Sequence, residues 1–150
     1  MIKIKRILIP VDFSPSSLLA MKYGSSFAAE YGSQLHLLHV IQEEVLQVGN
    51  LNDPLELNKK WEAEGMKDLK AFVPPALRDL DIIESVRGGL AFESILEYAT
   101  EKEIDLIILG GHGKTGFVDQ WLGGTAYEVA RKANCPVLTV KPTGPGFIEP

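Results

Sequence analysis

The 150-residue sequence predicts an α/β fold: a single doubly wound, open, parallel five-stranded sheet of Rossmann-like type, with strand order 3-2-1-4-5. Three observations predict it. Apolar runs alternate with helix-period segments along the whole chain, the connections between them are short, and runs such as "KRILIPV" suit strands buried on both faces. In such a sheet the first and fourth strands are neighbours, and a ligand sits beyond their carboxyl ends, where the winding reverses.

Lys5–Val11 forms the first strand. Ser14-Pro15 then reads as an N-cap followed by a proline at the first helical position, and the helix carries Leu18, Leu19, Ala20, Phe27, Ala28 and Tyr31 before Gly32 ends it. Gln34–Ile41 is the second strand. Residues 42–56 fit no regular pattern and make the longest connection. A helix is expected from Leu57 to Val73, although Gly65 in its middle costs about 1 kcal/mol against alanine. Asp81–Arg87 is the third strand. Phe92, Ile95, Leu96 and Ala99 then mark one face of an amphipathic helix. Asp105–Gly110 is the fourth strand. The last helix, "GTAYEVARKA", is expected to turn Ala126, Val129, Ala130 and Ala133 inward, and Cys135–Lys141 is the fifth strand. Residues 1–142 make the domain. Residues 143–150 are an irregular tail whose Phe147 and Ile148 are candidates to dock.

Composition narrows the function. A net charge of −5 argues against nucleic acid or an anionic membrane as the main partner. One cysteine provides no disulfide framework or cysteine metal cluster, and His36, His39 and His112 have no helical metal-binding spacing. The apolar runs are too short to insert in a membrane. The N-terminus starts positive and then apolar, but its run is broken by Pro10 and Asp12 and lacks a small-residue cleavage site, so a cytoplasmic protein is expected.

"GGHGKTG", Gly110–Gly116, contains the glycine-lysine-threonine that ends a P-loop. A P-loop needs another glycine five positions before Gly113, where Ile108 stands in mid-strand, and a helix directly after Lys114, where Gly116 intervenes. The dinucleotide pattern Gly111-x-Gly113-x-x-Gly116 follows the fourth strand instead of the first and has no acidic residue in the required place. A different spacing is more informative. Gly110 and Gly113 are separated by two residues, Gly123 follows after nine more, and Gly124-Thr125 opens a helix. A glycine turn and a helix N-terminus would then bring amide groups to one spot, an arrangement that suits phosphate. Ordinary turn punctuation explains the same glycines equally well.

The blocks "RILIPVDFSPSSLLAMKYGSSFA", "LHLLHVI", "SILEYATEKEIDLIILGGHGKTGF" and "LGGTAYEVARKANCPVLTVKP" together resemble a universal stress protein domain, of adenine nucleotide alpha hydrolase-like fold. The resemblance covers nearly the whole chain and is weakest between residues 42 and 80. It implies the ATP-binding subgroup, whose pattern Gly-x2-Gly-x9-Gly-(Ser/Thr) falls on Gly110, Gly113 and Gly123. The Ser/Thr position is Gly124, and the hydroxyl comes one residue later at Thr125, rotated by about 100° on the helix. ATP, with Mg²⁺ as an optional companion, is the first expectation; AMP, another adenine nucleotide or a cyclic dinucleotide is the alternative.

The same resemblance implies that Pro10 and Val11 shape the base pocket, that Asp12 meets adenine or ribose, and that Val40 gives backbone contacts to the adenine edge. Gly111 and His112 would lie in the phosphate loop, with Lys114 solvated or partly engaged. From sequence alone Asp12 serves equally as a helix-start residue bonding nearby amides, Val40 reads more simply as a core valine, and His36 and His39 read as packed strand residues. The resemblance also implies a homodimer through the last strand, Pro136–Lys141, an exposed edge that needs covering.

The function expected is a nucleotide-dependent stress-response or regulatory switch acting on an unknown protein partner. Residues 42–57, with Leu46, Val48, Leu51 and Leu55, are its candidate lid. The alternatives are a nucleotide-free dimeric interaction module and a slow ATPase. Phosphoryl transfer needs a metal clamp and a positioned nucleophile, and Asp12 and Asp119 are the only carboxylates in reach, so at most weak hydrolysis is expected.

Overall fold

A computed structural model gives the fold and describes residues 1–42, 54–111, 123–142 and 146–148. Five strands form one sheet: β1 (Arg6–Pro10), β2 (Gln34–Gln42), β3 (Ile82–Gly89), β4 (Leu106–Gly110) and β5 (Val137–Val140). Their order is β3-β2-β1-β4-β5, as the sequence predicts, and every pairing is parallel. Leu8 on central β1 stands between His36 of β2 and Ile107 of β4.

Among the described residues four α-helices cover the faces: α1 (Pro15–Tyr31), α2 (Pro54–Phe72), α3 (Ala91–Glu101) and α4 (Gly124–Lys132). Alternation along β1 sends Ile7 and Ile9 to the face under α1 and α2, where they meet Met21, Leu37 and Leu69. Leu8 goes to the opposite face with Ile95, Tyr98, Ala126 and Val129 of α3 and α4. Ile7, Leu8 and Ile9 are all fully buried.

The helix signals in the sequence are realised in α1. Ser14 Oγ accepts from the Ser17 N–H at 3.2 Å, Pro15 opens the helix, and Gly32 ends it with φ at 67°. Tyr31, in the last turn of α1, is exposed and stacks on Phe27 at 6.1 Å. Helix α2 starts at Pro54, three residues before the expected Leu57, because a proline at the first helical position arrives with its φ preset and lacks only an N–H that would have no partner there. Gly65 in that helix is a close-packing position. A Cβ there would lie 3.2 Å from Val86 Cγ1 and 3.5 Å from both His39 Cδ2 and Ile41 Cδ1.

Helix α4 buries Ala126 and Val129 and packs Ala133, as expected, but Ala130 is exposed. That helix lies at the margin of the sheet on α3 and β5, so its floor is narrower than that of a central helix. His36 is buried, with Nδ1 2.7 Å from the Tyr98 hydroxyl and Nε2 3.0 Å from Gln34 Oε1. In the tail, Phe147 meets Tyr23 edge-on at 5.0 Å and Ile148 packs on the α1-side core. Among the described residues no helix is long and apolar enough to cross a membrane.

Candidate functional site

The crevice above β1, β2 and β4 contains a cavity of ≈ 390 Å³, within the roughly 300–1,000 Å³ usual for small-molecule sites. Its apolar part is lined by Pro10, Val11, Leu38, Val40, Ile95 and Leu109, and its polar part by Asp12, Ser14, Ser16, Ser17, Gly123, Gly124 and Thr125. An apolar slot beside a polar end is the layout that a base carrying a sugar and phosphate requires.

One wall is the turn from β1 into α1. Asp12 Oδ1 accepts from the Ser14 N–H at 3.0 Å and from the Ser17 hydroxyl at 3.1 Å. Both bonds fall on one oxygen, and among the described residues Oδ2 has no donor. Asp12 therefore occupies the helix-start role read from the sequence and is also one of the residues lining the cavity. Two acceptor lone pairs on Oδ2 suit ribose hydroxyls or an exocyclic amine.

The opposite wall is the start of α4. Gly123 is its N-cap, with φ −61° and ψ 158° and no side chain to cap the first turn. Its carbonyl accepts from the Tyr127 N–H at 2.9 Å, while its own N–H donates to the Gly111 carbonyl at 3.0 Å. Gly111 in turn donates to the Val140 carbonyl at 2.9 Å and does not line the cavity. The amides of Gly111 and Gly123 are thus committed within the protein. The N–H groups of Gly124, Thr125 and Ala126 meet no acceptor among the described residues. No acidic side chain stands in this first turn to compete with an incoming anion, and the helix dipole adds positive potential. Helix α3 adds a third N-terminus at Ala91, likewise without a side-chain cap.

Gly110 serves a different purpose from close ligand approach. A Cβ there would lie 2.5 Å from the backbone carbon, the oxygen and the Cβ of Ser16, so the missing side chain lets α1 rest directly on the end of β4. That contact brings the Asp12 wall up to the α4 wall. Around Gly124, by contrast, an added Cβ meets nothing within 4 Å among the described residues.

The structure brings Pro10, Val11, Asp12, Val40, Gly110, Gly123, Gly124 and Thr125 onto one cavity and sets Gly111 behind it. The expectations for His112, Gly113, Lys114 and Asp119, and for the candidate lid from 43 to 53, lie outside the described residues. Sequence reasoning missed Ser14, Ser16 and Ser17, although "SPSS" directly follows Asp12-Phe13 in the chain. It also missed Gln42, at the end of β2, and Ala91 and Ile95, which reach the cavity because helix α3 packs against β2. Among the described residues no three His, Cys, Asp or Glu side chains group to hold a metal ion, and Asp12 is the one carboxylate lining the cavity.

Comparison with known proteins agrees with the fold. The family model for the universal stress protein family matches residues 3–141. Universal stress protein MJ0577 of Methanocaldococcus jannaschii is 31% identical over 154 aligned residues, covering 91% of this chain and 94% of the relative. The solved structure of MJ0577 superposes with a TM-score of 0.82 at 30% identity, covering 96% of this chain and all of that one. A universal stress protein in complex with cAMP shares the fold at a TM-score of 0.67 and 20% identity, over 95% and 100% of the two chains. Another, from Archaeoglobus fulgidus in complex with dAMP, shares it at 0.55 and 17%, over 93% and 98%. With its sheet order, its crevice and a family match spanning nearly its whole length, this chain belongs to the universal stress protein family.

Proposed function

We propose that the chain binds an adenine nucleotide, ATP first, in the crevice between β1 and β4, and acts as a nucleotide-dependent switch. One observation carries the reading: the Asp12 carboxylate and the uncapped first turn of α4 line the same cavity from opposite sides, with an apolar slot between them. The base would lie along Pro10, Val11 and Val40, the ribose would meet Asp12 Oδ2, and the phosphates would accept from the amides of Gly124, Thr125 and Ala126. That relatives of the same fold hold cAMP and dAMP supports an adenine nucleoside monophosphate as the recognised unit. Mg²⁺, where it accompanies ATP, would be held mainly by the phosphates, with Asp12 the nearest described carboxylate.

Binding with at most weak hydrolysis follows from the lining. Phosphoryl transfer requires a positioned base and a charge clamp, and the described wall offers amides, hydroxyls, His39 and a single carboxylate. Strand β5 lies at the edge of the sheet, pairing with β4 alone. Antiparallel pairing of Pro136–Lys141 with a second copy would cover it, so a cytoplasmic homodimer is part of the proposal.

The experiment is mass spectrometry of the supernatant from freshly purified, denatured protein, paired with thermal shift on adding ATP–Mg²⁺. A stoichiometric adenine nucleotide, or a clear upward shift, supports the switch. An empty cavity with no shift from ATP, AMP or cyclic nucleotides replaces it with a nucleotide-free interaction module.

A further inference from the structure

We propose that Phe13 and His39 form a clamp that positions Asp12 in the nucleotide site; the role assigned to Asp12 rests on the reading just given. Phe13 has φ at +64°, in the left-handed region, where an aromatic side chain is rare. A ring could fill the core from an ordinary backbone. The left-handed residue is needed because the chain leaves β1 and enters α1 within a few residues while the Asp12 carboxylate turns back to the Ser14 N–H.

Side chains from two other elements hold that conformation. The Phe13 ring lies 4.4 Å from the His39 ring and 5.4 Å, edge-on, from Phe72 of α2. His39 Nδ1 lies 2.8 Å from the Val11 carbonyl, and because a carbonyl can only accept, that nitrogen carries the proton. One imidazole from β2 therefore holds both neighbours of Asp12: Val11 by a hydrogen bond and Phe13 by ring contact. With its flanking residues fixed and Oδ1 bonded to Ser14 and Ser17, the carboxylate of this cavity-lining residue has little freedom left, and Oδ2 is the oxygen those bonds do not use. Strained backbone held by surrounding packing is a common way to preorganise a site.

The test combines two readouts. In the nucleotide-free protein, hydrogen exchange of the Ser14 amide reports on the Asp12 turn directly. Titration calorimetry with ATP–Mg²⁺ is run on wild type, Phe13→Ala, Phe13→Tyr, Asp12→Asn and the Phe13→Ala/Asp12→Asn double variant, each confirmed folded by its melting transition. Phe13→Ala is expected to speed Ser14 exchange and to weaken ATP by about tenfold. Phe13→Tyr keeps the ring and should stay within about twofold of wild type, and the double variant should bind no more weakly than the worse single one. Unchanged Ser14 exchange, ATP affinity unmoved in Phe13→Ala despite a lower melting temperature, or losses that multiply in the double variant each overturn the clamp. If wild-type protein takes up no adenine nucleotide, the site reading fails by itself, and Ser14 exchange still decides whether Phe13 fixes the turn.

Discussion

The Gly123 N–H donates to the Gly111 carbonyl at 3.0 Å, and this bond ties the start of α4 to the end of β4. The position of the α4 amides is therefore set by the sheet. Gly124, one residue on, has no described residue within 4 Å of where its side chain would start. Gly124→Ser should therefore fold normally and place a hydroxyl at the mouth of the uncapped turn. ATP affinity is expected to rise by about tenfold, the size of one added hydrogen bond to a charged group. Calorimetry checks it, and Gly124→Ala is the control: it should gain about 0.5 kcal/mol of stability from a less flexible unfolded chain without tighter binding.

Gly110→Ala should do the opposite. Its new methyl would meet the Ser16 backbone, which cannot rotate away, so α1 must lift from β4. A loss of about 2–3 kcal/mol in urea unfolding is expected, typical of an overpacked core position. Separating the walls of the crevice should also weaken nucleotide binding. The pair of variants tells a packing glycine from a glycine at the ligand, two roles that look alike in a sequence.

That distinction explains much of what was legible. The order of strands, the capped ends of α1 and the crevice between β1 and β4 follow from short-range signals and the handedness of crossovers, which the sequence carries directly. Pairwise approach in space is not carried that way. Nothing near Gly110 in the chain points to Ser16, and Gly65 looked like a defect in its helix until Val86, His39 and Ile41 were seen beneath it. Ala130 failed for the same reason in reverse: its helical spacing was right, but the sheet beneath α4 is narrow. At the cavity, the glycine spacing pointed to the first turn of α4, which lines it, whereas the fold alone shows that the Gly111 and Gly123 amides are already bonded.

Asp12 holds the turn into α1 and, in the proposed site, meets the ribose, two roles that substitution can separate. Asp12→Asn retains the Oδ1 acceptor for Ser14 and Ser17, so the melting temperature should change little. The lost charge and an amide in place of Oδ2 should weaken a ribose-bearing nucleotide by about tenfold. Asp12→Ala removes the local acceptor as well and should cost about 1 kcal/mol of stability, the scale of a lost helix cap. Inorganic triphosphate, which has no ribose, should discriminate poorly between wild type and Asp12→Asn. Equal losses for triphosphate and ATP would place Asp12 at the phosphates.

Finally, His36 gives the fold a pH dependence of definite sign. It is held between Tyr98 and Gln34, and its pKa lies below the ordinary 6.5, first because burial disfavours the charged ring and then because Arg6 and Lys102 repel it, with Asp81 acting weakly the other way. For a base whose folded pKa is depressed, the unfolded chain takes up the proton first as pH falls. The contribution is therefore intact above about pH 6.5 and declines below it, until the folded state also protonates. Urea unfolding followed from pH 7.5 to 5 should show stability falling below pH 6.5, and His36→Gln should flatten that part of the profile whatever its effect at pH 7.5. Tyr98→Phe leaves His36 Nδ1 without its buried partner and should cost about 1–3 kcal/mol near neutrality. A profile that keeps its slope in His36→Gln would assign the acid sensitivity to carboxylates instead.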